Sequence, residues 1–207
     1  FTQKARIDFQ ANFAPVVNDV TLRTSLVFKA LYGLEDEQFD VETAFLYGDL
    51  EEQIYMKFLE FYNEYLESIG RETYPEDEYC LLLNKSIYGL VQAARQWWKK
   101  FKEKLRALHF YPSSVDPCLF VRKTKTSFAI IMIYVDGGIL GSKKIILETL
   151  DGLEEFFTIK RLGPMETFVG CQIIMSKDKK TIWVHQPKLL GHLREKFEKE
   201  LPGRKSD

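Results

Sequence analysis

Residues 130–142 constrain the fold more than any other stretch, and they read I-I-M-I-Y-V-D-G-G-I-L-G-S. Two apolar runs flank Asp136, Gly137 and Gly138, a pattern that predicts a tight β-hairpin because glycine adopts the positive φ angles of primed turns. The hairpin would present the Asp136 carboxylate at its tip. Aspartate is also an ordinary turn residue that hydrogen-bonds its own backbone, so this stretch alone leaves its role open.

Composition shows that the chain can bury a core. Its 207 residues are 45% hydrophobic and 29% charged, which suits one large domain or two small lobes. The net charge of −1 neither supports nor excludes a polyanionic partner.

The cysteines are widely spaced and odd in number, which favours a reducing intracellular location, cytoplasmic or nuclear. No membrane span or signal peptide is recognisable, and the missing initiator Met suggests an excised fragment.

Periodicity predicts an α+β fold with a mostly antiparallel sheet packed against helices. Residues 1–20 read as an arm lying on the body. The predicted helices cover residues 21–32, 61–69, 94–108, 145–157 and 188–201. Pro112 is the residue expected to end the third helix. Outside the hairpin, the predicted strands lie near residues 37–41, 51–57, 116–121, 168–174 and 181–184.

The helix over residues 94–108 has an apolar side and a basic side. Its basic residues are Arg95, Lys99, Lys100, Lys102, Lys104 and Arg106. Such a face is either simply solvated or turned towards phosphates, and the pattern leaves both interpretations open.

Asp40 lies at a predicted strand end and Asp136 at the hairpin tip, so the two acids would meet if their strands share a sheet. Magnesium prefers oxygen ligands, and a nucleotidyl-transfer site can be built from few carboxylates on rigid strands. Periodicity does not select this pair from the 30 acidic residues of the chain.

A longer stretch does select it. Residues 39–56 read F-D-V-E-T-A-F-L-Y-G-D-L-E-E-Q-I-Y-M and closely resemble the reverse transcriptase of copia-type LTR retrotransposons. Further blocks resemble the same family in the same order: residues 13–17, 86–97, 114–120, 134–136, and 162–163 with 168–170. The resemblance covers nearly the whole chain.

This resemblance implies a right-hand polymerase in which residues 1–207 form a single reverse-transcriptase-like domain, truncated at both ends. The domain would supply the palm and part of the fingers, with the thumb absent. Asp40 and Asp136 would be the catalytic aspartates that bind Mg²⁺, and the Val41 carbonyl would help them. The implied partners are an RNA or DNA template-primer and a deoxynucleoside triphosphate, with no membrane.

The resemblance also implies roles in nucleotide binding. Phe45 falls five residues after Asp40, where related polymerases place an aromatic gate under the sugar, although an ordinary core phenylalanine fits equally well. Gln92 and Arg95 match the middle motif and would contact the incoming nucleotide or the template. A surface role for Arg95 stays open.

The departures from the family predict impaired catalysis. Gly137 stands where the family's hairpin has a second aspartate, Val91 where it usually has a basic residue, and Ala94 where it usually has proline. The family's basic fingers segment and RNase H domain are also missing. The alternative function is a domesticated, non-catalytic module that binds nucleic acid or protein, with the acidic and aromatic residues 58–78 as the place for a new protein interface. An engineered Gly137 is a further possibility, and whether the chain is an enzyme is left open.

Overall fold

A computed structural model describes the backbone of residues 3–4, 9, 11–134 and 136–198. The chain divides into two compact units. The first, unit 1, comprises residues 1–15 and 43–104, and the second, unit 2, comprises residues 16–42 and 105–207. The predicted arm over residues 1–20 and the end of the last predicted helix lie partly outside the described residues.

The helices of the described residues each overlap a predicted helix. They are α1 (Asp19–Tyr32), α2 (Tyr62–Ser68), α3 (Ala93–Ala107), α4 (Lys143–Glu154) and α5 (Pro187–Glu198). The prediction that Pro112 ends α3 is wrong. The helix ends at Ala107, His109 takes a left-handed conformation with φ 63°, and Pro112 lies in a short edge strand, where its missing N–H is tolerated. None of these helices is long and apolar enough to cross a bilayer.

All strand pairs in the described part of the chain are antiparallel, which confirms the predicted α+β class. The strands are β1 (Glu35–Val41), β2 (Tyr55–Met56), β3 (Leu81–Leu82), β4 (Tyr111–Pro112), β5 (Leu119–Lys123), β6 (Phe128–Ile133), β7 (Gly137–Gly141), β8 (Ile159–Gly163), β9 (Thr167–Phe168), β10 (Cys171–Met175) and β11 (Ile182–His185). Unit 2 holds a six-stranded sheet in the order β4-β5-β6-β7-β1-β8 and a three-stranded sheet in the order β11-β10-β9. Unit 1 holds the two-stranded sheet β2-β3.

The core of unit 2 forms where α4 packs against β7, β1 and the edge strand β8. Leu150 and Leu153 of α4 and Ile139 and Leu140 of β7 are all 0% exposed. Helix α4 follows the hairpin directly, and the Ser142 hydroxyl caps it by accepting a hydrogen bond from the backbone N–H of Ile145. Burial of these side chains holds the hairpin in the middle of the sheet.

The predicted hairpin is confirmed, but the predicted role of its glycines is wrong. Gly137 and Gly138 lie inside β7, and neither has a positive φ angle. At the tip, the backbone N–H of Tyr134 donates to the Asp136 carbonyl at 3.0 Å. All five residues of β7 are buried. A Cβ added at Gly138 would lie 2.7 Å from the Met165 sulfur, so these glycines are needed for close packing rather than for a turn.

In unit 1, acidic residues neutralise part of the basic side of α3. Lys99 pairs with Glu51 at 2.6 Å, Lys100 pairs with Asp49 at 2.7 Å, and Lys85 also pairs with Asp49. Hydrogen bonds from Lys100 and Lys85 lower the pKa of Asp49. This arrangement favours a solvated, ion-paired face over a surface turned towards phosphates.

Candidate active site

The register of β1 and β7 brings the two predicted aspartates together. Phe39 lies opposite Gly137 in this antiparallel pair, so the next step of the register sets Asp40 beside Asp136 at the hairpin tip. The two carboxyl groups are close enough to share a hydrogen bond, and both residues are half-buried. The prediction that the two acids meet is confirmed. Their role in catalysis stays a prediction.

The site concentrates negative charge. Burial raises the pKa of the Asp136 carboxyl, and the charge of Asp40 and the hydrogen bond between the two carboxyls raise it further. A cation between the two groups would relieve this repulsion. Paired carboxylates suit a hard, oxygen-seeking ion such as Mg²⁺. Among the described residues, however, no group of three or more His, Cys, Asp or Glu side chains is arranged to hold a metal.

Lys160 is a site residue that the sequence did not reveal. It lies opposite Asp40 in the register of β1 with β8. Directly opposed residues project from the same sheet face with Cβ atoms about 5 Å apart. A row of Asp136, Asp40 and Lys160 therefore crosses neighbouring strands, with the lysine exposed at one end. No local pattern marks Lys160, because only the register makes it a neighbour of Asp40.

A residue with a strained backbone, Thr43, follows the end of β1. Val41 is 5% exposed, and the backbone N–H of Glu42 donates to the Thr158 carbonyl at 3.0 Å, which continues the ladder with β8. Thr43 then adopts a left-handed conformation with φ 50°. This region is unfavourable for a β-branched residue and costs about 1–3 kcal/mol. Backbone strain close to a candidate site is a feature that sequence patterns did not indicate. The role of the Val41 carbonyl stays a prediction.

Phe45 lies in unit 1, in a 3₁₀ turn over Ala44–Tyr47. It is partly buried against the cluster of Ile54, Leu90 and Ala93, and its ring lies 4.9 Å from the Tyr88 ring, centroid to centroid. These contacts give Phe45 a packing role within its unit. Its proposed role as a sugar gate stays a prediction.

Gln92 and Arg95 also lie in unit 1, where both contact the N-terminal segment. Gln92 is 0% exposed, and its side-chain oxygen accepts a hydrogen bond from the Gln3 amide at 3.1 Å. The Gln3 oxygen in turn accepts from the backbone N–H of Val91 at 2.9 Å, and Arg95 donates to the Phe13 carbonyl at 3.5 Å. Within the described residues, the N-terminal segment therefore lies on α3 and the turn before it. Contact of Gln92 or Arg95 with a nucleotide stays a prediction.

Comparison with known proteins identifies the family to which the chain belongs. The family model "Reverse transcriptase (RNA-dependent DNA polymerase)" matches residues 1–201. The Retrovirus-related Pol polyprotein from transposon TNT 1-94 of Nicotiana tabacum is 38% identical over 200 residues, covering 95% of this chain and 14% of the polyprotein. The Pol polyprotein from transposon RE2 of Arabidopsis thaliana is 29% identical over 174 residues, covering 83% of this chain and 11% of the polyprotein. No solved structure matches.

These matches define a reverse transcriptase domain. The chain belongs to the copia-type members of that family, as the sequence blocks predicted.

Proposed function

We propose that the chain is a reverse transcriptase domain whose polymerase activity is impaired because Gly137 replaces one aspartate of the catalytic set. The observation that carries this proposal is the pairing of Asp40 with Asp136 next to a buried glycine, which has no side-chain oxygen that could bind a metal. The family's hairpin has two consecutive aspartates after Tyr-Val, and this chain keeps only the first.

We further propose that unit 2 is the palm and that unit 1 contributes part of the fingers of one functional domain over residues 1–207. The assignment of unit 2 is supported by its six-stranded antiparallel sheet, which carries Asp40 at the end of β1 and Asp136 at a hairpin tip. Helix α4 packs on β1 and β7, the two strands that carry these acids or lead from them. Rigid strands suit chemistry that depends on positioning reactants.

The residues of the site fit Mg²⁺, although the set is small. Asp40, Asp136 and the Val41 carbonyl would hold the ion, which when bound would neutralise triphosphate charge and orient a primer 3′-hydroxyl. Lys160 beside Asp40 would add a positive charge for a phosphate group. With only two carboxylates, we expect the free protein to bind Mg²⁺ weakly. Calorimetry that shows tight binding by the free protein would contradict this expectation.

Primer extension tests the proposal. The chain, its Asp40→Asn variant and the corresponding domain of the TNT 1-94 polyprotein are compared on one RNA template with a DNA primer, in Mg²⁺ and in Mn²⁺. We expect extension by this chain to be at least about 100-fold slower than by the relative, because the second carboxylate of the family's hairpin is missing, and each lost charge near a triphosphate can cost several kcal/mol of transition-state stabilisation. Fast extension that Asp40→Asn abolishes would refute the impairment.

A non-catalytic module that binds nucleic acid is the second candidate, and Lys160 favours it. An exposed lysine beside the candidate site provides a phosphate contact that needs no chemistry. We expect duplex binding that weakens steeply with salt, and Lys160→Gln should lower the slope of log affinity against log salt by about 1. An unchanged slope would show that Lys160 does not contact the phosphates of the nucleic acid.

Residues 58–78 support a protein partner rather than nucleic acid at that part of unit 1. The segment contains seven acidic residues and one arginine, so its net charge is −6. Phe61 and Tyr65 are 67% and 58% exposed. Negative charge repels phosphates, so we expect Phe61→Ala and Tyr65→Ala to leave duplex affinity unchanged. A loss of affinity in either variant would contradict this assignment.

A further inference from the structure

The space beside Gly137 is filled by the ring of Phe39. Phe39 is 0% exposed and lies directly opposite Gly137 in the pair of β1 with β7. A Cβ added at Gly137 would overlap this ring, and even the third-nearest ring atom, Cε1, would lie at only 2.6 Å. Gly137 has no positive φ angle. Glycine is therefore required here by space and not by backbone conformation.

The closest overlap involves the outer end of the ring. The three heavy atoms nearest to a Cβ at Gly137 would be Cζ, Cε2 and Cε1 of Phe39. A leucine at position 39 ends at its Cδ atoms and has no counterpart of these three. Phe39→Leu would therefore remove the obstacle while keeping an apolar side chain in the core.

We propose that Phe39 and Gly137 form an interlocked pair that holds the site in its two-carboxylate form, with Phe39 as the positioning residue for Asp40 and Asp136. Phe39 precedes Asp40 and Gly137 follows Asp136, so the contact of the ring with the glycine backbone sets how closely the two acidic residues approach. The pair also makes a side chain at position 137 destabilising when it is added by a single substitution. Only the description of the two acids as the remnant of a metal site rests on the proposed function.

The sheet geometry gives the same result for a restored aspartate. Successive residues of a strand point to opposite faces, and residues directly opposite each other share a face. A side chain at position 137 would therefore enter the buried layer that holds Phe39, on the face opposite to Asp40 and Asp136. Gly137→Asp alone would overlap the ring and bury a charge, so its failure to extend a primer would say nothing about the two existing aspartates.

Thermal unfolding of Gly137→Ala, Phe39→Leu and the double variant tests the interlock. Overpacking in Gly137→Ala should lower the melting temperature by roughly 5 °C. Phe39→Leu should lower it by a similar amount, because it leaves a cavity. The double variant should melt close to Phe39→Leu alone, since the alanine then occupies the vacated space. The matched control is Gly191→Ala in α5, where an added Cβ meets nothing within 4 Å and no decrease is expected.

Additive decreases in the double variant, or unchanged melting of Gly137→Ala, would overturn the interlock. If Gly137→Ala does not fold, folding of the double variant supports the proposal. If the double variant also fails to fold while Phe39→Leu folds, the ring is not the obstacle and the proposal is wrong.

Disulfide formation between positions 40 and 136 tests the positioning role separately from stability. Asp40→Cys and Asp136→Cys are combined with Cys80→Ser, because Cys80 is an exposed free thiol. A disulfide needs the two Cα atoms to lie within about 7 Å of each other, so Phe39→Leu should slow the cross-linking by at least about 10-fold if it lets the two positions separate. An unchanged rate in a folded Phe39→Leu protein would show that Phe39 fills the core without positioning the pair.

These measurements need neither nucleic acid nor metal, so they separate the interlock from the proposed function. If the melting and cross-linking results are as expected but the protein binds no duplex and extends no primer, the interlock stands and the proposed function fails. If the protein binds duplex but the variants behave additively, the proposed function stands and the interlock fails.

Discussion

Two carboxylates of unit 2 occupy contrasting environments, one surrounded by hydrogen-bond donors and the other facing a second acid. Asp116 is 0% exposed and joins α1 to the segment before β5. Its oxygens accept hydrogen bonds from the Thr21 hydroxyl at 2.6 Å, the Cys118 N–H at 2.8 Å and the Asn18 N–H at 3.0 Å. Asp136 is half-buried and lies against Asp40.

The comparison shows that burial does not by itself decide what a carboxylate does. Burial acts to raise the pKa of Asp116, but the hydrogen bonds from Thr21, Asn18 and Cys118 outweigh it and lower the pKa. Burial also raises the pKa of Asp136, and Asp40 adds to the increase. The first acid stabilises the fold as an anion. The second acid costs stability as an anion, which is typical of a site kept for binding or chemistry.

A third acid of unit 2, Asp36, has a partner of opposite charge. Removing that partner should have the largest effect on stability. Lys29 of α1 pairs with Asp36 of β1 at 2.6 Å, and their side chains are 8% and 7% exposed. Lys29→Met should decrease the free energy of unfolding by about 3–5 kcal/mol, because it leaves a buried anion without its cation. Urea denaturation measures this loss.

Lys144→Met is the matched control for Lys29→Met. The Lys144 side chain is 85% exposed, and its ammonium group lies 3.8 Å from the Glu148 carboxylate. We expect a change within about 0.5 kcal/mol. Equal losses in the two variants would show that burial of the pair in unit 2 has no energetic consequence.

Asp116→Asn should be the next most severe change. The amide keeps the shape of the side chain, but it removes the charge and offers an N–H to groups that already donate. We expect a loss of about 2–3 kcal/mol in urea denaturation. Thr21→Val, which removes only the hydroxyl donor at 2.6 Å, should cost about 1 kcal/mol. If Asp116→Asn costs less than Thr21→Val, the carboxylate is not the centre of this network.

The pH dependence of stability in the wild-type protein and in Asp116→Asn tests the charge of Asp116. Because its folded-state pKa is lowered, its contribution is complete above the unfolded pKa of about 3.9 and is lost as the pH falls through the folded value. The difference in stability between the wild-type protein and Asp116→Asn should therefore shrink in acid. A difference that grows as the pH falls would contradict the lowered pKa.

Asp136→Asn should have the smallest effect, and of the opposite sign. Its raised pKa means that folding holds the proton more tightly, so the anion destabilises the fold above the folded pKa. Removing the charge should increase stability at pH 7 by on the order of 1 kcal/mol. The gain should vanish as the pH falls below the unfolded pKa, and a decrease in stability at pH 7 would refute the repulsion.

The sequence predicted the elements whose signals are local. Helices α1 and α4 and the β6-β7 hairpin follow from apolar spacing within a dozen residues. Strand β8 was missed, because residues 159–163 alternate only weakly and become a strand by pairing with β1. Gly137 was assigned to a turn because turn statistics favour glycine, whereas packing against Phe39 requires it in a strand.

The sequence by itself determined the family, the α+β class and the two acids that the family pattern selects, since all three depend on residues read in order. Only the tertiary structure decided that Asp40 lies between Asp136 and Lys160 and that Phe39 closes the space at Gly137. The physical reason is register. Which residues are neighbours across a sheet depends on the pairing of strands that lie about a hundred residues apart in the sequence. A shift of one residue in that pairing would move every side chain of a strand to the other face.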